Sequence, residues 1–211
     1  MSKAANRISV LNSRFLKRTF SGTPKMSTEI ETPVPAAAPP KPAPTKKSAL
    51  TTDALVVRKN LKTDRYELLA IQRGREPHIG KWALPGGFVE YGEDPTVGVL
   101  RELEEETHLV GYPDVHLITV HGNPKRDPRQ HIVTAAYACK VKPETLKDLA
   151  GSDDAADARW IEFETAGLEG GAELAFDHGE IVAKFRKWFK ETGEQQGFYV
   201  EDPEGKQPGA Q

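Results

Sequence analysis

Between Gly86 and Leu109 the sequence reads "GGFVEYGEDPTVGVLRELEEETHL", and Glu102, Glu104, Glu105 and Glu106 crowd together beside Arg101. On a helix, like charges one turn apart destabilise by roughly 0.2–0.5 kcal/mol per pair. At about 100° per residue, Glu102, Glu105 and Glu106 share one side, while Val97, Leu100, Leu103 and Thr107 share the other. The apolar side is expected to face a core. Three carboxylates then project together, a hard-oxygen set suited to Mg²⁺ or Mn²⁺. Arg101 lies one turn before Glu105 and can pair with it, limiting the repulsion and fixing its orientation. Glu104 points to the apolar side and must reach out at the rim, so no role is assigned to it.

The residues just upstream suit the same chemistry. Gly86 and Gly87 let backbone approach a ligand closely, and a carbonyl there can join a metal shell, with Glu93 standing just before the helix. A solvated acidic face beside an ordinary turn would explain the glutamates alone. It would not explain their combination with the glycines and Arg101.

Positioning these groups requires a folded scaffold, and the sequence outlines one. "TTDALVVRK" and "RYELLAIQRG" are β-rich and read as an antiparallel hairpin. "KWALPGGFVE" continues as a short strand and glycine turn, and the acidic helix starts at Pro95 with Asp94 as its N-cap. "DVHLITVHG" and "QHIVTAAYACKVK" are two further strands joined by "NPKRDPR", and "DARWIEFE" is another. "DHGEIVAKFRKWFKET" is amphipathic, with Ile181, Phe185 and Trp188 or Phe189 on one face and Asp177 and Glu180 spaced as a capping box. The expected fold is α/β (α+β), an α/β/α sandwich built on a mixed sheet.

The chain has 211 residues, 37% of them hydrophobic, which suffices for one globular core with tails to spare. A net charge of −2 argues against a dedicated nucleic-acid binder. A single cysteine, Cys139, excludes an internal disulfide and reads as a small core residue. No stretch approaches the apolar length of a membrane span.

The ends differ from the middle. Residues 1–25 carry Lys3, Arg7, Arg14, Lys17, Arg18 and Lys25 with no acid, the composition of an organellar transit peptide. Ile8, Leu11, Phe15 and Phe20 can form an apolar stripe, and "RTFS" resembles a mitochondrial processing site with a cut after Phe20. The expected location is the mitochondrial matrix. A start at Met26 would give a cytosolic form, and a plain basic tail is the alternative. Residues 26–48, with "TPVPAAAPPKPAPTKKS", read as a Pro/Ala-rich linker. The folded domain is expected over 49–192, with an irregular polar tail over 193–211.

The segment around the glutamates resembles the Nudix box: Gly87, Glu93, Arg101, Glu102, Leu103, Glu105, Glu106 and Leu109 match in register. His108 stands where the family usually has glycine, at a helix end that favours left-handed backbone. The resemblance implies hydrolysis of a nucleoside diphosphate linked to X. Its implied catalytic set is Arg101, Glu102, Glu105 and Glu106, with Glu102, Glu105, Glu106 and Gly87 around the metal. The implied cofactor is Mg²⁺, with Mn²⁺ as a substitute. Water attacks phosphorus, with Glu105 or a loop acid (Asp153 or Asp154) as general base.

"KWALPGGFVEYGE", "RDPRQH" and "AFDHGEI" are further similar to the ADP-ribose pyrophosphatase branch, in which a proline often follows the box where Pro124 stands. That branch splits ADP-ribose to AMP and ribose 5-phosphate. Arg126 and Arg129 would then reach phosphate or ribose, Trp82 would stack on adenine, and Gly86 would lie against the substrate. The implied partner is a small nucleotide; a homodimer is compatible, and neither a nucleic-acid nor a membrane partner is expected. His78, His116, His121 and His131 have no metal-ligand spacing, and His178 beside Asp177 reads as structural. A hydrolase of oxidised nucleoside triphosphates of the 8-oxo-dGTP type and a silent nucleotide sensor are the other readings of the same box.

Overall fold

The computed structural model describes residues 46–151 and 155–208. The leader, most of the Pro/Ala-rich linker, Asp153 and Asp154 lie outside them.

Two mixed sheets form the centre. Ala49–Leu55 (β1) and Val57–Asn60 (β2) are consecutive strands that belong to different sheets. Arg65–Arg73 (β3) turns back antiparallel on β2, which is the expected hairpin. Trp82–Ala83 (β4) pairs with β3, and Gly86–Phe88 (β5) pairs antiparallel with β1 so that Asp53 faces Gly86. His116–His121 (β6) and Ile132–Ala138 (β7) are antiparallel, and β7 lies parallel to β1. Ala155–Glu162 (β8) runs antiparallel along β3. The first sheet has the order β5-β1-β7-β6; the second has β4-β3-β2 and a further strand described below.

Strand alternation sorts the core. Side chains two apart share a face, so Ala54, Val56, Leu69, Ile71, Ala135 and Tyr137 join one buried cluster with Val99 and Leu103 of the acidic helix, Pro95–Thr107 (α1). Leu55, Val57, Leu68, Ala136 and Ala138 join the other, with Ile181, Val182 and Phe185 of His178–Trp188 (α2). Both faces of the sheet layer are therefore covered, as expected for the sandwich. Cys139 is buried in the first cluster, where lack of solvation pushes its thiol up to about 12.

The polar tail departs from expectation. Val200–Asp202 (β9) is a strand, parallel to β2 and paired with Arg58, Lys59 and Asn60. Arg58, which is 1% exposed and needs acceptors, finds some of them in this segment. Its Nε donates to Glu67 at 2.6 Å, and one terminal nitrogen donates to Asp202 at 2.6 Å and to the Lys206 carbonyl at 2.8 Å. The guanidinium also lies 4.8 Å over the Trp160 ring. Hydrophobic patterning does not detect a strand held this way.

Candidate active site

Helix α1 begins as read. The Asp94 carboxylate accepts from the Thr96 amide at 2.8 Å, and Pro95 opens the first turn. It ends at His108, whose φ of 62° is the left-handed geometry the family meets with glycine. The buried stripe runs through Val99, Leu103 and Thr107. Val97 was expected on that stripe but is 57% exposed, because Val99 occupies the face one turn above Leu103.

Arg101 is the hub of the acidic face. It donates to both Glu93 oxygens at 2.9 and 3.0 Å, to Glu102 at 2.8 Å, to Glu105 at 3.1 Å and to the Phe88 carbonyl at 3.1 Å. The Arg101 guanidinium and the Glu90 amide together hold the Glu93 carboxyl down at about 2. Arg101 thus ties the β5 loop to the helix, a wider role than the single Glu105 pair expected of it.

The three carboxylates do not converge. Glu105 has a side chain 59% exposed, pairs with Arg101 and does not line the cleft. Among the described residues no three carboxylate, imidazole or thiol groups come together as a metal site. Glu102 and Glu106 are the pair that turn inward, towards β5. The Glu106 carboxylate accepts from the Gly86 amide at 2.8 Å. A β-carbon on Gly87 would stand 2.5 Å from the Glu102 carboxylate, and one on Gly86 would stand 2.0 Å from the Thr52 carbonyl oxygen. Gly86 is therefore required by close approach to backbone, whereas a side chain at Gly87 would displace the Glu102 carboxylate. Burial pushes the Glu102 carboxyl up, opposed by the Arg101 guanidinium. A half-buried carboxylate beside a second one has the donor chemistry for a hard divalent cation.

Glu102, Glu106, Gly86 and Gly87 line a cleft of about 520 Å³. Its other lining includes Asp53, Arg73, Phe88, Arg126, Arg129, Phe176 and His178. Arg126 and Arg129 are there as expected, but each already holds a carboxylate. Arg126, with a side chain 5% exposed, forks onto Asp177 at 2.6–3.1 Å, and Arg129 forks onto Asp127 at 2.7 and 3.0 Å. Trp82 does not line the cleft. On β4 it packs against the α2-side core and has Arg159 5.9 Å over its ring, away from the place expected for stacking on adenine.

Asp177 makes no side-chain cap bond, so the capping box is corrected as well. Its carboxylate is spent on Arg126 and on His121 Nδ1 at 2.9 Å. Burial opposes its ionisation, but those two partners outweigh it and hold the carboxyl at about 2. His178 is buried, as a structural histidine should be. Its Nδ1 accepts from the Leu84 amide at 3.0 Å, its Nε2 lies 3.6 Å from Asp53, and burial pushes its pKa down. Asp53 accepts from the Thr134 hydroxyl at 2.6 Å. Asp53, Arg73, Phe88 and Phe176 were missed in the sequence. Asp53 sits inside a β-rich run and Phe176 inside "AFDHGEI", but nothing in their spacing marks a site.

A family model described as NUDIX domain matches residues 49–189. An ADP-ribose pyrophosphatase of Methanocaldococcus jannaschii is 36% identical over 141 residues, 66% of this chain and 74% of that protein. An ADPR responsive transcriptional repressor of Acinetobacter baylyi is 32% identical over 120 residues, and the match spans 46% of the repressor's length. The NUDIX domain of Shewanella oneidensis NrtR, solved with ADP ribose, superposes with a TM-score of 0.54 at 29% identity, covering 68% of this chain and 89% of that domain. A repressor among these relatives means that near-neutral charge alone does not separate the fold from nucleic-acid partners.

Proposed function

The chain belongs to the Nudix family of pyrophosphohydrolases, and from that premise we propose that it hydrolyses ADP-ribose to AMP and ribose 5-phosphate, with Mg²⁺ as cofactor and Mn²⁺ able to replace it. One observation carries the reading: Glu102 and Glu106 lie against the Gly86–Gly87 backbone in a cleft that is also lined by arginines, among them Arg73, to which no carboxylate of the described residues is hydrogen-bonded. Carboxylates alone would repel a pyrophosphate, and arginines alone would not hold a divalent cation. Together they suit the two sides of a metal–pyrophosphate complex.

Glu102 and Glu106 are the residues that would hold the metal, with peptide oxygen at Gly87 beside them. A divalent cation so held polarises phosphoryl oxygen and lowers the pKa of water bound to it. Arg101 orients the pair by holding Glu102 and by anchoring Glu93 and the Phe88 carbonyl. The candidates for the base that takes a proton from attacking water are Glu105, exposed and paired with Arg101, and the loop acids Asp153 and Asp154. The ADP-ribose named for the Methanocaldococcus and Shewanella proteins supports the substrate.

The test is a screen of the purified protein against ADP-ribose, NADH, sugar nucleotides and 8-oxo-dGTP with Mg²⁺. ADP-ribose should show the highest kcat/KM, with AMP and ribose 5-phosphate in equal amounts. A higher value on 8-oxo-dGTP would move the protein to the sanitising class. The likeness to an ADPR responsive repressor favours a sensing role as the second reading; tight ADP-ribose binding without turnover would select it.

The leader is proposed to direct import to the mitochondrial matrix, on the strength of its unbroken positive charge. A fluorescent fusion of residues 1–48 should localise to mitochondria; a diffuse cytosolic signal would sink this.

A further inference from the structure

The arginines of the cleft differ in whether their charge is already matched. Arg101 holds Glu93 and Glu102, Arg126 holds Asp177, and Arg129 holds Asp127. Arg73 is different. Its Nε donates to the Pro77 carbonyl at 2.8 Å and a terminal nitrogen to the Arg75 carbonyl at 3.4 Å, and among the described residues no carboxylate hydrogen-bonds it. Its guanidinium lies 4.8 Å over the ring of Phe176. That ring is itself fixed: Phe176 has a φ of 53°, an unusual backbone for an aromatic residue, and His78 packs on it with centroids 4.7 Å apart. Arg129 lies 5.8 Å from the same ring.

A partly buried guanidinium that lines the cleft and is hydrogen-bonded only to carbonyls keeps donors available for an anion. Such a charge is costly until an anion arrives. Burial, followed by the nearby Arg129 charge, pushes the Arg73 pKa down against the opposing pull of the Asp127, Glu106 and Glu76 carboxylates, none of which hydrogen-bonds it. Arginine's planar fork matches two phosphate oxygens, and its stacking on Phe176 fixes the plane of that fork.

We infer that Arg73, seated on the Phe176 ring, is the guanidinium that binds the phosphate groups of the substrate. Arg126 and Arg129 instead shape the cleft through their own carboxylates. This assignment rests on the Nudix reading for the identity of the substrate, but its charge accounting does not.

The experiment compares full-length wild type, R73K and R73Q on ADP-ribose with Mg²⁺, alongside thermal unfolding and inhibition by inorganic pyrophosphate. R73Q should raise KM by on the order of ten- to a hundredfold, the loss of a charge-assisted pair. R73K should lose less, because it keeps the charge but not the fork. The inhibition constant of pyrophosphate should follow the same ranking, with the unfolding midpoint near that of wild type. Unchanged KM in R73Q overturns the assignment, and so does equal loss in both variants together with a lowered midpoint. If R73Q does not fold, the pyrophosphate constant of R73K decides: weakened supports Arg73, unchanged removes it. A wild type that turns over none of the nucleotides fails the Nudix hydrolase reading instead. Calorimetric binding of ADP-ribose then tests Arg73 separately, weaker in R73Q if the assignment holds and equal if it does not.

Discussion

The Glu102 carboxylate occupies the space that a β-carbon on Gly87 would need, 2.5 Å away from it. The contact is with the far end of a flexible side chain, so Gly87→Ala can be accommodated by displacing Glu102. Folding should survive, while Glu102 moves off its place beside Glu106. Misplacing a catalytic group by about 1 Å costs on the order of a hundredfold in rate. The expected result is therefore a large loss of kcat with an unfolding midpoint close to wild type. Retained kcat would mean that Glu102 does not act from this position.

Glu106→Gln keeps the shape of the side chain, and its amide oxygen can still accept from the Gly86 amide. It removes one charge from the proposed metal pair. Losing it should reduce metal-dependent turnover about a thousandfold or more. Stability should change by no more than about 0.5 kcal/mol, since relief of the like-charge pair is a small effect. Glu104→Gln, on an exposed side chain outside the cleft, is the control and should leave turnover near wild type. Near-normal turnover in Glu106→Gln would reduce the acidic face to solvated surface.

How far the sequence reaches is clear from these residues. The start and end of α1, the Glu102–Glu106 pair and the β2–β3 hairpin were legible because capping, helical period and strand period are local. Val97 went astray, and Glu105 stands outside the cleft lining, because a helical wheel gives angles but not where the core and cleft lie around them. Trp82 was given a stacking role by type, and its position on β4 is set by pairing with Gln72 of β3. Arg73 and Asp53 were invisible, since their importance comes from partners distant in sequence, present or lacking.

Asp177 links the Arg126 loop to the start of α2, and its carboxyl is held at about 2. An unfolded aspartate titrates near 3.9. The folded pKa is depressed, so this link contributes stability that is present above about pH 4 and lost as pH falls through 2. Urea midpoints measured from pH 5 to pH 2 should fall for wild type and fall less for Asp177→Asn. At pH 7 the variant leaves Arg126 buried without its counter-charge, which should cost about 3 kcal/mol. Parallel acid limbs in the two proteins would assign the acid sensitivity to other carboxylates.

The C-terminal strand gives the last test, because it was expected to be an irregular tail. Arg58 is buried and takes acceptors from Glu67 on β3 and from Asp202 and Lys206 at the chain's end. Removing the chain after Gly197 would delete β9, uncover Trp160 and leave the guanidinium with Glu67 as its remaining carboxylate. Asp202→Ala isolates the charge alone. Removing one partner of a buried ion pair costs about 3–5 kcal/mol, and a domain of this size has roughly 5–15 kcal/mol in all. The single variant should still fold with a clearly lowered unfolding midpoint, and the truncation should fall further because apolar contacts of Phe198 and Val200 go with it. Arg58→Met in the Asp202→Ala background should recover much of the loss, since an apolar side chain of similar length leaves no charge unmatched. If Asp202→Ala unfolds at the wild-type midpoint, β9 is held by its apolar contacts and backbone pairing, and Arg58 does not clamp it.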